Sequence, residues 1–204
     1  MTIEDVRRAV GAHVPSRIPG TGLLRQAAVA AIVRAGAGAG AELLLIQRAE
    51  HPRDRWSGHM AFPGGKVEPG DADALAAALR ETREEIGLDL AAEARPLGRL
   101  SDVAAVARGK VLPMMIVPYV FELTGARDPV FRRSAEVAAV TWWPVSFLLD
   151  RTNRGVHEWT VAGVTLSLPC YRRDGQLLWG LTLKMIDELL ALAGETGSRG
   201  APRA

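Results

Sequence analysis

The chain has a single cysteine, Cys170, so no disulfide can close within it, and its composition fits a reducing compartment. It has no apolar run near the roughly 18 residues that a bilayer-spanning helix needs. It has little excess charge of either sign, with 25 Lys and Arg against 23 Asp and Glu, and no polybasic run. Aromatic residues make up only 5% and form no array on which bases could stack. These absences argue against a nucleic-acid surface and against a membrane span. The N-terminal segment is acidic and amphipathic without an apolar centre, so it does not read as a secretion signal. A cytoplasmic location is the resulting expectation, and no internal repeat is present.

What is present is enough for one well-cored domain: 204 residues, 48% of them hydrophobic. Residues 1–25 read as an N-terminal helix and linker, 26–193 as the domain, and 194–204 as a disordered tail of small and polar residues. Thr2 and Asp5 are spaced to cap the first helix, to about His13, with Ile3, Val6 and Val10 as its apolar stripe. Strands are expected at 26–34 and 42–48 around a Gly/Ala hairpin tip at 36–40. A short strand follows at 97–101, a loop at 103–110, and a longer strand at 111–123. Pro113 and Pro118 place part of that strand at an edge or a bulge. An alternating strand follows Glu136, and Pro144 opens a helical turn. Residues 150–158 read as a polar loop, 161–168 as a strand, and a last helix runs through Leu192.

The stretch from Phe62 to Leu88 organises the rest. A Gly64-Gly65 turn leads through a short acidic loop into a helix on which Glu81, Glu84 and Glu85 stand at i, i+3 and i+4, on one face. Clustered carboxylates raise one another's pKa unless a cation lies among them. Oxygen-only donors suit hard cations, Mg²⁺ or Mn²⁺ before Zn²⁺. Arg80, four residues before Glu84, can orient it, and the two glycines let backbone carbonyls approach the same point. This set points to metal-assisted hydrolysis of a phosphoryl or pyrophosphoryl group.

The stretch resembles the Nudix box, G-x5-E-x7-R-E-U-x-E-E-x-G-U, at Gly65, Arg80, Glu81, Glu84, Glu85, Gly87 and Leu88. Asp71 stands where Glu is usual, eight residues rather than seven precede Arg80, and Thr82 replaces the aliphatic U. The coenzyme A-cleaving branch of the family is similar in these departures. A signature of that branch resembles Leu45, Arg48, Ala49, Arg53, Gly58 and Phe62-Pro63-Gly64-Gly65, with Ile46 for Thr and one extra residue before Gly58. The segment around Trp179 is similar to the branch's terminal helix, which implies that Trp179, Leu183 and Ile186 are core. The resemblance implies an α/β/α sandwich with a central mixed β-sheet. It implies metal binding by Glu81, Glu84, Glu85 and the Gly64 or Gly65 carbonyl, and a catalytic set of Glu84, Glu85, Arg80 and Glu136.

Arg48, Arg53 and Arg55 would form a basic rim suited to phosphate oxygens. Arg48 leaves a strand toward the site, whereas Arg53 and Arg55 either join it or pair with nearby carboxylates. His59 reads as structural. The implied substrate is coenzyme A or an acyl derivative. ADP-ribose, a dinucleotide or another nucleotide is the alternative, and a silent nucleotide-binding module the third reading, against which the intact carboxylates argue. The partner is a small nucleotide, and the oligomeric state stays open, a homodimer included.

Overall fold

The computed structural model describes residues 1–19, 24–36, 38, 40–52, 56–107, 110–125, 128–161 and 163–199. Strand β1 (Arg25–Ala35) runs through the middle of a mixed sheet, parallel to β7 (Lys110–Leu123) and antiparallel to β2 (Ala41–Arg48) and β4 (Gly64–Lys66). Outside these, β3 (Met60–Ala61) and β8 (Val137–Pro144) pair with β2, and β5 (Ala94–Arg99) and β6 (Val103–Ala107) with β7. Side chains alternate across a strand, so β1 feeds two cores at once. Ala27, Ala31 and Val33 face one core with Leu43 and Leu45, while Ala30 and Ile32 face the other with Leu44 and Ile46. Helices α1 (Ile3–Ala12), α4 (Val145–Leu149) and α5 (Gly180–Arg199) cover the first face, and α2 (Ala74–Ile86) and α3 (Leu90–Glu93) the second. The expected α/β/α sandwich around a mixed sheet is what the chain forms.

Several expectations change once partners are visible. Residues 103–107 form β6 instead of a loop, because β7 offers them an antiparallel ladder that local sequence does not reveal. Strand β7 is interior, yet both prolines fall where its pairing breaks. Pro113 lies opposite the β6 irregularity between Ala104 and Val106, and Pro118 where β5 gives way to β6 and the Leu100 N–H reaches its carbonyl. The polar loop at 150–158 is a short 3₁₀ turn capped by Asp150, followed by β9 (Arg154–Val161). With β10 (Val164–Arg173) and β11 (Gln176–Trp179) this strand makes a second, three-stranded sheet. Much of the β9–β10 hairpin is exposed on both sides, so burial does not mark β9 as a strand in the sequence. Helix α5 continues through residues 194–199, where composition suggests a disordered tail, because adding residues to a formed helix needs no new nucleus. Residues 200–204 lie outside the described residues. No helix among the described residues is long and apolar enough to cross a membrane.

Helix α1 starts at a capping box in which Thr2 Oγ1 accepts from the Asp5 N–H and Asp5 from the Thr2 N–H. Val6, Ala9 and Val10 are buried, so the helix shares the core of the domain. Arg7 fastens it to β7, donating from Nε to Glu122 at 2.7 Å, and Arg95 donates to the same carboxylate at 2.6 Å. Glu122 is 6% exposed, so removing it strands two cations, whereas Arg95 is half in water. Glu122→Ala is expected to cost about 2 kcal/mol in urea unfolding and Arg95→Ala well under 1 kcal/mol. The opposite order would contradict this role for Glu122.

Candidate active site

Helix α2 is placed by its ends and by its smallest residues. Asp73 caps the start, accepting from the Ala76 N–H at 2.8 Å, and Gly87 ends the helix at φ 73°, a left-handed position that suits glycine. Ala77 and Ala78 lie against Ala28 of β1, so no large side chain holds helix and sheet apart. Thr82, where the box pattern has an aliphatic residue, is fully buried and donates from Oγ1 to the Ala78 carbonyl at 2.7 Å. Its hydroxyl is satisfied within the helix, and its small volume fits a closely docked face.

That close docking brings the carboxylates onto the Gly-Gly strand. A Cβ on Gly65 would sit 2.3 Å from Glu81 Oε1, and one on Gly64 (φ +147°) would sit 2.2 Å from the Ala28 carbonyl oxygen. Gly64 therefore admits no side chain, and one at Gly65 would push the Glu81 carboxylate from its place. The Gly64 N–H donates to Glu85 Oε2 at 2.8 Å. Glu85 is 4% exposed, and burial pushes its pKa up to about 7. The Gly64 N–H and Arg48 pull the other way, and the neighbouring Glu81 and Glu136 charges add to the rise. Burial also raises Glu81, with Arg80 opposing and Glu84 and Glu136 reinforcing.

Arg80 binds this acidic face together. It grips both oxygens of Asp71, from Nε at 2.9 Å and Nη2 at 3.0 Å. Its Nη1 donates to Glu84 at 3.0 Å and lies 3.1 Å from Glu81, and Nη2 also reaches the Lys66 carbonyl at 3.0 Å. The hydrogen bonds from Arg80 hold the Asp71 carboxyl below the usual range. Asp71 thus does the work expected of Glu one residue nearer the helix.

A cleft of about 800 Å³ opens beside these groups. Glu81, Glu85 and Glu136 line it with Gly64, Gly65 and Arg48, whose Nη1 is 3.9 Å from Glu85 Oε1. Glu84 does not line it: its side chain is 59% exposed and turned to Arg80. Arg53 and Arg55 lie outside the described residues. The structure adds Trp179, expected in the core. It is half-buried on the cleft wall with its ring centroid 4.9 Å from that of His59, and packs on His157 and Trp159. Leu183 and Ile186 are core as expected, at 1% and 0% exposure. Trp179 ends β11, so its place follows from the second sheet, which sequence reading left undrawn. Arg25 and Lys66 also line the cleft, and neither belongs to a motif that would single it out.

The donor set fits a hard divalent cation. Glu81 lies in a hollow that a Cβ on Gly65 would fill, beside buried Glu85, and burial raises the pKa of both carboxylates against the partial opposition of Arg80 and Arg48. Among the described residues no three such side chains yet converge as ligands. Arg80 holds Glu84 aside, so completing the set requires Glu84 to exchange that contact for the cation.

The Glu85 shift carries a pH signature. In the unfolded chain this carboxyl charges near 4.5, but in the folded protein only near 7. Its contribution therefore favours the fold fully below pH 4.5, is lost between 4.5 and 7, and is level above. Metal-free wild-type protein should lose on the order of 3 kcal/mol across that window, and Glu85→Gln most of that slope, by urea midpoints at fixed pH. Parallel slopes would contradict the assignment.

The sequence profile of the NUDIX domain matches residues 24–160. The human protein named mitochondrial coenzyme A diphosphatase NUDT8 is 33% identical over 153 residues, covering 74% of this chain and 62% of that protein. This chain thus spans less than two thirds of that relative. An uncharacterised Nudix hydrolase, NudL of Yersinia pestis, is 30% identical over 148 residues, 72% of this chain and 70% of that one. The Caenorhabditis elegans Ap4A hydrolase superposes with a TM-score of 0.52 at 20% identity, covering 86% of this chain and 97% of that one, a likeness of fold. With the box residues assembled on α2 and β4 and the profile matching most of the chain, the protein belongs to the Nudix family.

Proposed function

We propose that this Nudix hydrolase cleaves coenzyme A or an acyl derivative of it to 3′,5′-ADP and the corresponding 4′-phosphopantetheine. The observation that carries this reading is the division of the cleft. Carboxylates and Arg48 occupy one end, while Met60, Leu112, Met114, Leu181 and Met185 wall much of the remainder. A diphosphate bearing a long, nearly uncharged arm matches that division, because the arm can lie along the apolar wall without burying a charge there. The relative named as a coenzyme A diphosphatase supports the same choice.

Water attacks one phosphorus of the diphosphate, the bridging P–O bond breaks, and the departing phosphate takes the electron pair. On this reading Glu81, Glu84 and Glu85, with the Gly64 or Gly65 carbonyl, would hold a divalent cation, Mg²⁺ or Mn²⁺, which when bound would supply positive charge against the bridging and leaving oxygens and make water a better nucleophile. Arg80 keeps the carboxylate face in register through Asp71, and Arg48 faces the diphosphate beside Glu85. On this reading one of the helix glutamates or Glu136, which lines the cleft, accepts the proton released by water. A reducing compartment such as the cytoplasm fits Cys170, a buried free thiol.

A panel of coenzyme A, acyl-coenzyme A, ADP-ribose and dinucleoside polyphosphates, incubated with Mg²⁺ or Mn²⁺ and read by product mass, tests the reading. Coenzyme A compounds should be turned over best and EDTA should abolish turnover. Glu84→Gln and Glu85→Gln should each lose about 100-fold or more in kcat while staying folded. A clear preference for ADP-ribose would overturn the substrate while leaving the hydrolase. Activity surviving in EDTA would overturn the site.

A further inference from the structure

We infer that Arg25 and Lys66 form a subsite for a second phosphate of the substrate, a monoester outside the diphosphate that is cut. Strand β4 pairs with β1 so that Lys66 stands opposite Ala27, and Arg25, two residues before Ala27, shares its face. The two cations are therefore diagonal neighbours on one sheet surface, roughly 7–8 Å apart. Both are exposed and both line the cleft. Among the described residues no carboxylate lies within 4.0 Å of either, although Glu68 lines the same cleft.

The other described cations at the reacting end are committed. Arg80 is held by Asp71, Glu81 and Glu84, and Arg48 faces Glu85. Lys66 follows Gly65 in the strand, so it projects to the face opposite the one on which Gly65 meets Glu81. The strand thus divides the pair from Glu81, while Glu68, two residues after Lys66, shares the pair's face without pairing to either cation. Like charges side by side on a sheet repel one another, and an anion between them relieves the repulsion. A phosphate monoester is nearly dianionic at neutral pH and offers three acceptor oxygens, which suits a pair of fixed cations better than a neutral hydroxyl does. On the coenzyme A reading, on which this identification rests, the group is the 3′-phosphate of the ribose.

The test compares kcat/KM for coenzyme A and 3′-dephospho-coenzyme A in wild type, Arg25→Gln/Lys66→Gln and Arg48→Gln. It is run beside inhibition by 3′,5′-ADP and by 5′-AMP. Wild type should prefer coenzyme A by roughly tenfold to a hundredfold, mostly in KM, and bind 3′,5′-ADP more tightly than 5′-AMP. The double variant should bring both ratios to within about twofold with an unchanged melting temperature, since both side chains are exposed. Arg48→Gln should lower both substrates alike. A double variant that keeps the preference, or loses equally on both substrates, overturns the subsite while the coenzyme A reading stands. Should wild type cleave neither compound, the coenzyme A reading falls. The two inhibitors, assayed against whichever diphosphate is cleaved, then decide the subsite: a 3′,5′-ADP advantage lost in the double variant supports it, and no advantage overturns it.

Discussion

Everything in this site depends on a helix pressed against a strand that has no side chains to hold it off. Gly64 and Gly65 leave room for Glu81 to lie where a Cβ would stand, and Ala28, Ala77 and Ala78 set the spacing from behind. The carboxylates are buried as a consequence, and burial without compensating charge raises their pKa. One N–H and one guanidinium at 3.9 Å offset only part of the cost at Glu85. The fold therefore holds an unsatisfied demand for positive charge at the point where a diphosphate and its cation would sit. Glycine, helix and charge are one device.

Arg80 keeps that device in order. A lone cation amid Asp71, Glu81 and Glu84 prevents the acidic face from splaying, and its contact with the Lys66 carbonyl ties helix to strand. Asp71 is itself fixed by a turn in which its N–H reaches the Glu68 carbonyl and the Glu68 N–H reaches its carboxylate. A shorter acid one residue away thus restores the same grip. The cleft then lies where two faces of the sheet meet, with carboxylates from the α2 side and apolar walls from the α5 side.

What the sequence made legible was local. The i, i+3, i+4 carboxylates, the Gly-Gly turn and the capping residues of α1 act within a few positions of one another, and spacing alone exposes them. The apolar runs of β1 and β2 likewise show buried strands. What was hidden depends on partners far along the chain. Resemblance to a terminal helix implies that Trp179 is core, yet β11 delivers it to the cleft beside His59, 120 positions earlier. Strand β6 looks like a loop until β7 is beside it, and β9 looks polar because its hairpin is exposed on both sides. Arg25 and Lys66 are unremarkable until the β1–β4 register sets them side by side. Glu84 is a different case: its place on the helix face is legible, but its pairing with Arg80 away from the cleft follows from side-chain choice.

The place of a divalent cation is the most direct test. Anomalous diffraction from crystals grown with Mn²⁺ would locate it without reference to any substrate. One strong Mn²⁺ peak is expected between β4 and α2, ligated by Glu81 and Glu85, with Glu84 turned from Arg80 to join them. Mn²⁺ bound elsewhere, with Glu81 and Glu85 still facing only the Gly64-Gly65 backbone, Arg48 and Arg80, would contradict it.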